Sequence, residues 1–248
     1  MIYSILKVLI RLTLSIFFNK KVVHAKNNIP QDGPLIILAN HPGTFLDPFI
    51  IAATVNRQVH FLAKGSMFKG KLVKWIFKQF NMIPVYRAQD DASKMGQNKQ
   101  TFEKCFEHLE NNGVILIFPE GISITEKKLK PIKTGAARIA LGAEERNGFK
   151  LGVKILPIGL NYENPHQFRK DVFVNIGEAI DVSTFQVEYK EHEIKAGKTL
   201  TEQIKTKLSS LIIDIDDKRQ EMLTDAIYKL HKSQLHMENP SLASDKLE

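Results

Sequence analysis

Short apolar runs alternate with longer amphipathic stretches through the middle of this chain, and no other feature limits its fold as much. Leu35–Ala39, Val59–Ala63, Met82–Tyr86, Val114–Phe118, Lys154–Leu160 and Val172–Ile176 read as buried strands. Between them, Pro48–Val55, Met67–Phe80, Ser93–Asn111 and Ile132–Glu145 carry apolar residues at helical spacing. Strands alternating with helices predict an α/β domain with a mostly parallel central sheet flanked by helices. The 248 residues are enough to bury a core without disulfides, and the single cysteine, Cys105, excludes an internal one. Cys105 reads as a packed thiol on a helix, and a reducing compartment suits such a chain.

The two ends have other patterns. Ile2 to Phe18 is mostly apolar but shorter than the roughly 20 residues of a spanning helix. Drawn as a helix, Ser4, Lys7, Arg11 and Ser15 form a polar stripe, with Ile5, Leu6, Leu9, Leu12, Ile16 and Phe17 around it. That pattern suits a helix lying in a membrane interface, with Lys20 and Lys21 directed at anionic head groups. A helix packed on its own domain is the plainer alternative. A signal peptide fits poorly, because charges interrupt the apolar run and no cleavage site follows. At the other end, Phe185–Lys198 is charged and loop-like. Leu200 to about Leu235 has apolar residues at helical spacing, as expected for one or two helices packed against the domain. The final dozen residues are polar and expected to fray. The division is therefore residues 1–30, an amphipathic membrane-associating segment; 31–185, the α/β domain; and 186–248, a C-terminal helical extension.

The net charge of +8 calls for an anionic partner. No acidic residue precedes Pro30, whereas Lys7, Arg11, Lys20, Lys21 and Lys26 all do. Positive charge thus lies beside the most apolar stretch, which favours a lipid surface. No nucleic-acid motif is present, and nucleic acid is not an expected partner.

The first strand of the domain ends in Asn40-His41, at the strand edge where open α/β sheets bind ligands. Asp47 follows after a Pro42-Gly43 turn. A carboxylate holding His41 would fix its tautomer and stabilise the imidazolium formed on taking a proton from an alcohol. Asp47-Pro48 is equally a good helix start, with Asp as cap and Pro in the first turn. No G-x-S-x-G elbow supplies an enzyme nucleophile. That leaves the substrate's own hydroxyl as a candidate nucleophile, which would make the reaction a direct group transfer, but the pair alone does not carry the function.

Two further clusters stand at strand ends. Val114–Phe118 runs into Pro119-Glu120-Gly121-Ile122-Ser123, followed by Lys127, Lys128, Lys130 and Lys133. This is either an anion-binding loop or a strand-to-helix turn with solvated lysines. Met82-Ile-Pro-Val-Tyr86 ends in Arg87, suited to bidentate phosphate recognition or to a surface ion pair.

Taken in order, Asn40-His41…Asp47, Met82…Arg87, Phe118-Pro119-Glu120-Gly121-Ile122-Ser123 and Ile155-Leu156-Pro157-Ile158 resemble the blocks of the glycerolipid acyltransferase family, of the lysophosphatidic-acid or glycerol-3-phosphate acyltransferase type. The resemblance runs from about residue 25 to 180. It implies that His41 is the base and Asp47 its orienting carboxylate. Arg87 would grip the acceptor phosphate, Glu120, Gly121 and Ser123 would shape the acceptor site, and Pro157 would lie near the acyl chain. The implied reaction moves a fatty acyl group from an acyl-CoA or acyl carrier protein thioester to a glycerol-phosphate hydroxyl in phospholipid biosynthesis. It needs no metal and no bound cofactor. The implied location is the cytoplasmic face of the cell membrane, peripheral or monotopic, with partners limited to the lipid surface, the thioester donor and a phosphate-bearing lipid acceptor. Two departures from the family pattern matter. Five residues, not four, separate His41 from Asp47, as in some glycerol-3-phosphate or dihydroxyacetone-phosphate acyltransferases. Asn81-Met82 also stands where a glycine is often found. Acylation of an amino-acid-containing lipid, or non-catalytic lipid binding on the same fold, are the alternatives.

Overall fold

A computed structural model describes residues 2–86, 96, 98–215 and 217–238. Arg87, the expected helix start at Ser93 and the expected frayed residues after 238 lie outside the described residues. The elements are α1 (Ile2–Phe17), β1 (Lys21–His24), β2 (Leu35–Ala39), α2 (Leu46–Thr54), β3 (Val59–Lys64), α3 (Lys71–Gln79), β4 (Met82–Val85), α4 (Asn98–Glu110), β5 (Val114–Ile117), α5 (Gly135–Arg146), β6 (Lys154–Tyr162), β7 (Val172–Ile176), β8 (Ile180–Asp181), α6 (Gln186–Glu191), α7 (Glu193–Ser209) and α8 (Lys218–Glu238).

The strands form one sheet in the order β1-β7-β6-β2-β5-β3-β4, with β8 pairing β6. From β6 to β4 every neighbouring pair is parallel. β7 turns antiparallel to β6, and β1 runs parallel to β7 at the far edge. The sheet is therefore mostly parallel, as expected, and it reaches back into the first thirty residues. Only two apolar residues, Val22 and Val23, mark β1, too few to distinguish it from a loop by pattern.

Alternation along the strands builds two cores. Leu35, Ile37 and Ala39 face one layer with Ile50 and Ile51 of α2 and Leu14 of α1. Ile36 and Leu38 face the other with Cys105 and Leu109 of α4, Ala137 and Ala140 of α5, and Leu200 and Ile204 of α7. Covering on both faces explains why β2 is apolar at every position. Cys105 is fully buried on its helix, and burial pushes its thiol up to about 12.

Three stretches depart from expectation. The charged segment Phe185–Lys198 is not a loop: α6 and the start of α7 occupy it, because its charges lie on the outer side while Ala196 and Leu200 enter the core. α1 turns part of its polar stripe, the head groups of Lys7 and Arg11, toward the domain beside Ile10 and Leu14, while Ser4 and Ser15 stay exposed. Lys7 Nζ donates to the Val55 and Arg57 carbonyls, and Arg11 Nε donates to the Ala53 carbonyl (3.1 Å). These cations meet the negative C-terminal end of α2, a favourable arrangement with its dipole. Leu14 and Phe18 are buried, while Ile5, Val8, Leu9, Leu12 and Ile16 face outward. α8 departs in the same sense, since Leu223, Ile227 and Leu230, expected to pack on the domain, are exposed.

Candidate active site

The carboxyl end of β2 delivers Asn40 and His41 to one rim of the sheet. The Asn40 amide locks that end in place, donating to the Leu160 carbonyl (2.9 Å) and accepting from the Leu160 N–H (2.7 Å). The His41 ring then stacks on Phe118, at the end of neighbouring β5, with centroids 3.8 Å apart and planes at 11°. Ring position is thus set by two adjacent strands.

Asp47 sits in the first turn of α2, with no exposed surface. It does not cap that helix, whose first residue has no side-chain cap. Its Oδ2 accepts from His41 Nδ1 (2.7 Å) and from the Gly43 N–H (2.9 Å). Its Oδ1 accepts from the Tyr162 hydroxyl (2.5 Å). Three donors compensate the cost of burying a carboxylate. The fifth intervening residue is absorbed by the turn, where Thr44 takes the left-handed conformation at φ 53. Gly43 has no substitute there: a Cβ would lie 2.7 Å from Asp47 Oδ1 and 2.9 Å from the Tyr162 ring. With Nδ1 committed to Asp47, Nε2 of a neutral imidazole is the proton acceptor. The His41 side chain keeps 19% of its surface exposed, enough for a ligand to reach it.

Tyr162 lies beyond the apolar pattern, which predicts that its strand stops at Leu160, whereas β6 runs to Tyr162. Two more residues bring it to the rim. Burial first, and then the Asp47 carboxylate, raise its hydroxyl well above the usual range, so it stays a donor.

Both carboxylate oxygens of Glu120 are bound to backbone N–H groups. Its Oε1 accepts from the His41 N–H and its Oε2 from the Lys130 N–H, both at 3.0 Å. Burial pushes its carboxyl up, and those two bonds pull it part of the way back. Gly121 turns the chain at φ 69, a conformation that favours glycine. Ser123 Oγ donates to the His41 carbonyl (2.8 Å) and pairs with Thr44 Oγ1 (2.9 Å). Thr125 Oγ1 donates to the Pro42 carbonyl (2.9 Å). The loop after β5 is thus strapped to the His41 turn by four hydrogen bonds. Of the lysines that follow, Lys127 pairs with Asp225 and Lys130 with Glu126.

Pro157 is not brought to this rim. It pairs with Leu38 inside the sheet, and its neighbours Leu156 and Ile158 face the layer that carries His41 and Tyr162. Pro157 therefore faces the opposite layer, with Gly177 against its ring. Arg87 lies outside the described residues. The strand before it ends on the same rim, held by Asn98, which bonds the Tyr86 N–H and carbonyl. That strand is three places from β2, about 14 Å at the usual strand spacing. Among the described residues, no three His, Cys, Asp or Glu side chains gather as metal ligands would.

An apolar cleft opens beside this rim, between α1, α2 and the β3–β4 edge. Leu6, Ile10, Phe49, Ala52, Phe61 and Phe80 line it, and Pro48, next to Asp47, also borders it.

The family model described as Acyltransferase matches residues 20–161. Glycerol-3-phosphate O-acyltransferase 1 of Saccharomyces cerevisiae is 25% identical over 96% of this chain and 43% of its own length. A 1-acyl-sn-glycerol-3-phosphate acyltransferase of Streptococcus pneumoniae is 27% identical over 85% of this chain and 73% of its own. The chain spans less than half the length of that yeast relative. Among solved structures, the 1-acyl-sn-glycerophosphate acyltransferase PlsC from Thermotoga maritima superposes with a TM-score of 0.58 at 22% identity, over 84% of this chain and 79% of that one.

Proposed function

The chain belongs to the acyltransferase family, and on that premise we propose that it moves a fatty acyl group from an acyl thioester to the hydroxyl of a glycerol-phosphate acceptor, with His41 as general base. The observation that carries this reading is the Asp47–His41 pair, whose carboxylate is fully buried while the imidazole keeps 19% of its surface exposed. His41 Nε2 takes the acceptor hydroxyl proton as that oxygen attacks the thioester carbonyl. The tetrahedral intermediate collapses with cleavage of the carbon–sulfur bond, and the imidazolium returns its proton to the departing thiolate. Asp47 steadies the imidazolium between those steps. No enzyme nucleophile is needed.

The acceptor is 1-acylglycerol-3-phosphate or glycerol-3-phosphate, and relatives named for each support both. The donor is acyl-CoA or acyl carrier protein. The apolar cleft is the place for the acyl chain, because it begins at Pro48 beside the catalytic carboxylate. In the same reading the protein works at the cytoplasmic face of the cell membrane. The outward apolar face of α1 supports this. At 16 residues the helix is about 24 Å long, short of the bilayer core. Among the described residues, no helix is long and apolar enough to cross a membrane.

The test is an acceptor panel, with and without phosphate, assayed with labelled acyl-CoA and acyl carrier protein. His41→Ala is expected to lower turnover at least a thousandfold while the protein remains folded, in keeping with loss of a general base that also positions the nucleophile. Near-wild-type turnover in that variant would overturn the mechanism. No turnover with any thioester donor would favour lipid binding instead.

A further inference from the structure

α8 is attached to the domain by its polar side. Lys232 Nζ donates to Asp171 Oδ2 (2.7 Å) and Glu163 Oε2 (2.8 Å), and Lys127 pairs with Asp225. The Lys127 N–H donates to Glu221 Oε1 (3.3 Å). The opposite side of the helix carries Leu223, Ile227 and Leu230, at spacings of four and three, 57% to 72% exposed. Scattered exposed leucines are ordinary, but a stripe of them opposite a wholly polar docking face is an oriented apolar surface.

α8 and α1 converge on one carboxylate. Asn19, just past the end of α1, donates through Nδ2 to Asp171 Oδ1 (2.9 Å), while Lys232 holds Asp171 Oδ2. The segment between them is pinned to α1 as well, since the Arg169 N–H donates to the Phe17 carbonyl (2.7 Å). Phe168, 61% exposed, sets its ring against Phe17 at the junction. α8 therefore docks by polar groups and α1 by Lys7 and Arg11 together with apolar Ile10 and Leu14, both leave apolar side chains outside, and an exposed aromatic residue stands between them.

We propose that α8 is a second membrane-docking element, whose Leu223, Ile227 and Leu230 enter the head-group boundary of an anionic lipid surface together with the outward face of α1. Charge favours a lipid occupant over a second copy of the chain. The acids Glu221 and Asp225 are half-buried on the docked side, leaving exposed basic flanks in Lys218, Arg219 and Lys229. Such flanks attract anionic head groups and would repel one another across a symmetric dimer. Two helices joined through Asp171 also bind more tightly than either alone, because insertion of the first raises the local concentration of the second. The proposal rests on the reading that the protein works at a membrane.

The test is flotation of the full chain with phosphatidylglycerol-rich and pure phosphatidylcholine vesicles, alongside sedimentation velocity. The triple variant Leu223→Gln/Ile227→Gln/Leu230→Gln alters only exposed positions, so its melting temperature should match the wild type. It is expected to bind phosphatidylglycerol vesicles roughly tenfold or more weakly. A Leu9→Gln/Leu12→Gln variant on α1 should also weaken binding. If only the α1 variant loses binding, α8 has no docking role, yet the membrane reading survives. If the wild type floats with neither vesicle, both readings fail. If the triple variant splits a dimer and leaves flotation unchanged, the stripe is a self-association surface and the proposal is wrong.

Discussion

Asp47 receives three donors while fully buried, and only one of them is the histidine it serves. The Gly43 N–H fixes the turn, and the Tyr162 hydroxyl holds the far oxygen. Tyr162 is thus a positioning residue. Tyr162→Phe keeps the ring and removes one charge-assisted hydrogen bond of about 1.5 to 3 kcal/mol. The expected result is a fall in kcat of roughly tenfold with little change in acceptor KM, because Tyr162 acts through Asp47. Unchanged kcat would show that Gly43 and His41 hold the carboxylate unaided. Glu120 has a comparable place: both of its oxygens accept backbone N–H groups, a task that a glutamine side chain performs with one oxygen only.

α2 links the chemistry to the apolar cleft. Its first turn carries Asp47, and one helical turn further on Ala52 contributes to the cleft wall. Its C-terminal carbonyls are capped by Lys7 and Arg11, so α1 closes the cleft from outside. Ala52→Phe adds a ring where the wall now has a methyl group. The expected outcome is a shift in donor preference toward shorter acyl chains, read from competition between thioesters of different length, while turnover on the shortest donors stays near wild type. Unaltered chain-length preference would place the acyl chain elsewhere. β2 gives a contrast within the same site. Its residues are buried on both faces, and its role is to present Asn40 and His41 at a fixed height.

Across the whole molecule, the end of the sheet opposite the active rim holds a histidine pair. His60 near the start of β3 and His108 of α4 lie with ring centroids 3.8 Å apart, and His60 Nδ1 and His108 Nε2 are buried with no hydrogen-bond partner among the described residues. Burial, and secondarily the neighbouring His108, push His60 down to about 4; burial lowers His108 as well. Burial thus favours the neutral form of both rings in the folded protein. The unfolded chain binds more protons between about 4 and the ordinary histidine value of 6.5, so stability falls as pH drops through that window. The melting temperature should decline across it, and His60→Phe should flatten the decline. A wild-type melting temperature unchanged over that range would contradict the assignment.

The sequence alone determined the alternation of strands and helices, and with it the mostly parallel sheet and the two-sided core, because apolar periodicity is a local property. It also determined which polar residues stand at the carboxyl ends of strands: His41, Glu120 and the approach to Arg87. The partners of those residues depend on chain separated by many positions. Whether Asp47 caps a helix or holds a histidine was settled by Tyr162, 115 residues away, and by a turn that only Gly43 allows. That both Glu120 oxygens accept backbone N–H groups follows from where β5 lies beside β2. The orientation of the two terminal helices was also beyond periodicity. An amphipathic pattern shows that a helix has two faces, but not which one the domain takes. Here the C-terminal carbonyls of α2 took Lys7 and Arg11 beside the buried Leu14, and the carboxylates Glu163 and Asp171 took Lys232, leaving Leu9, Leu12, Leu223 and Leu230 outside.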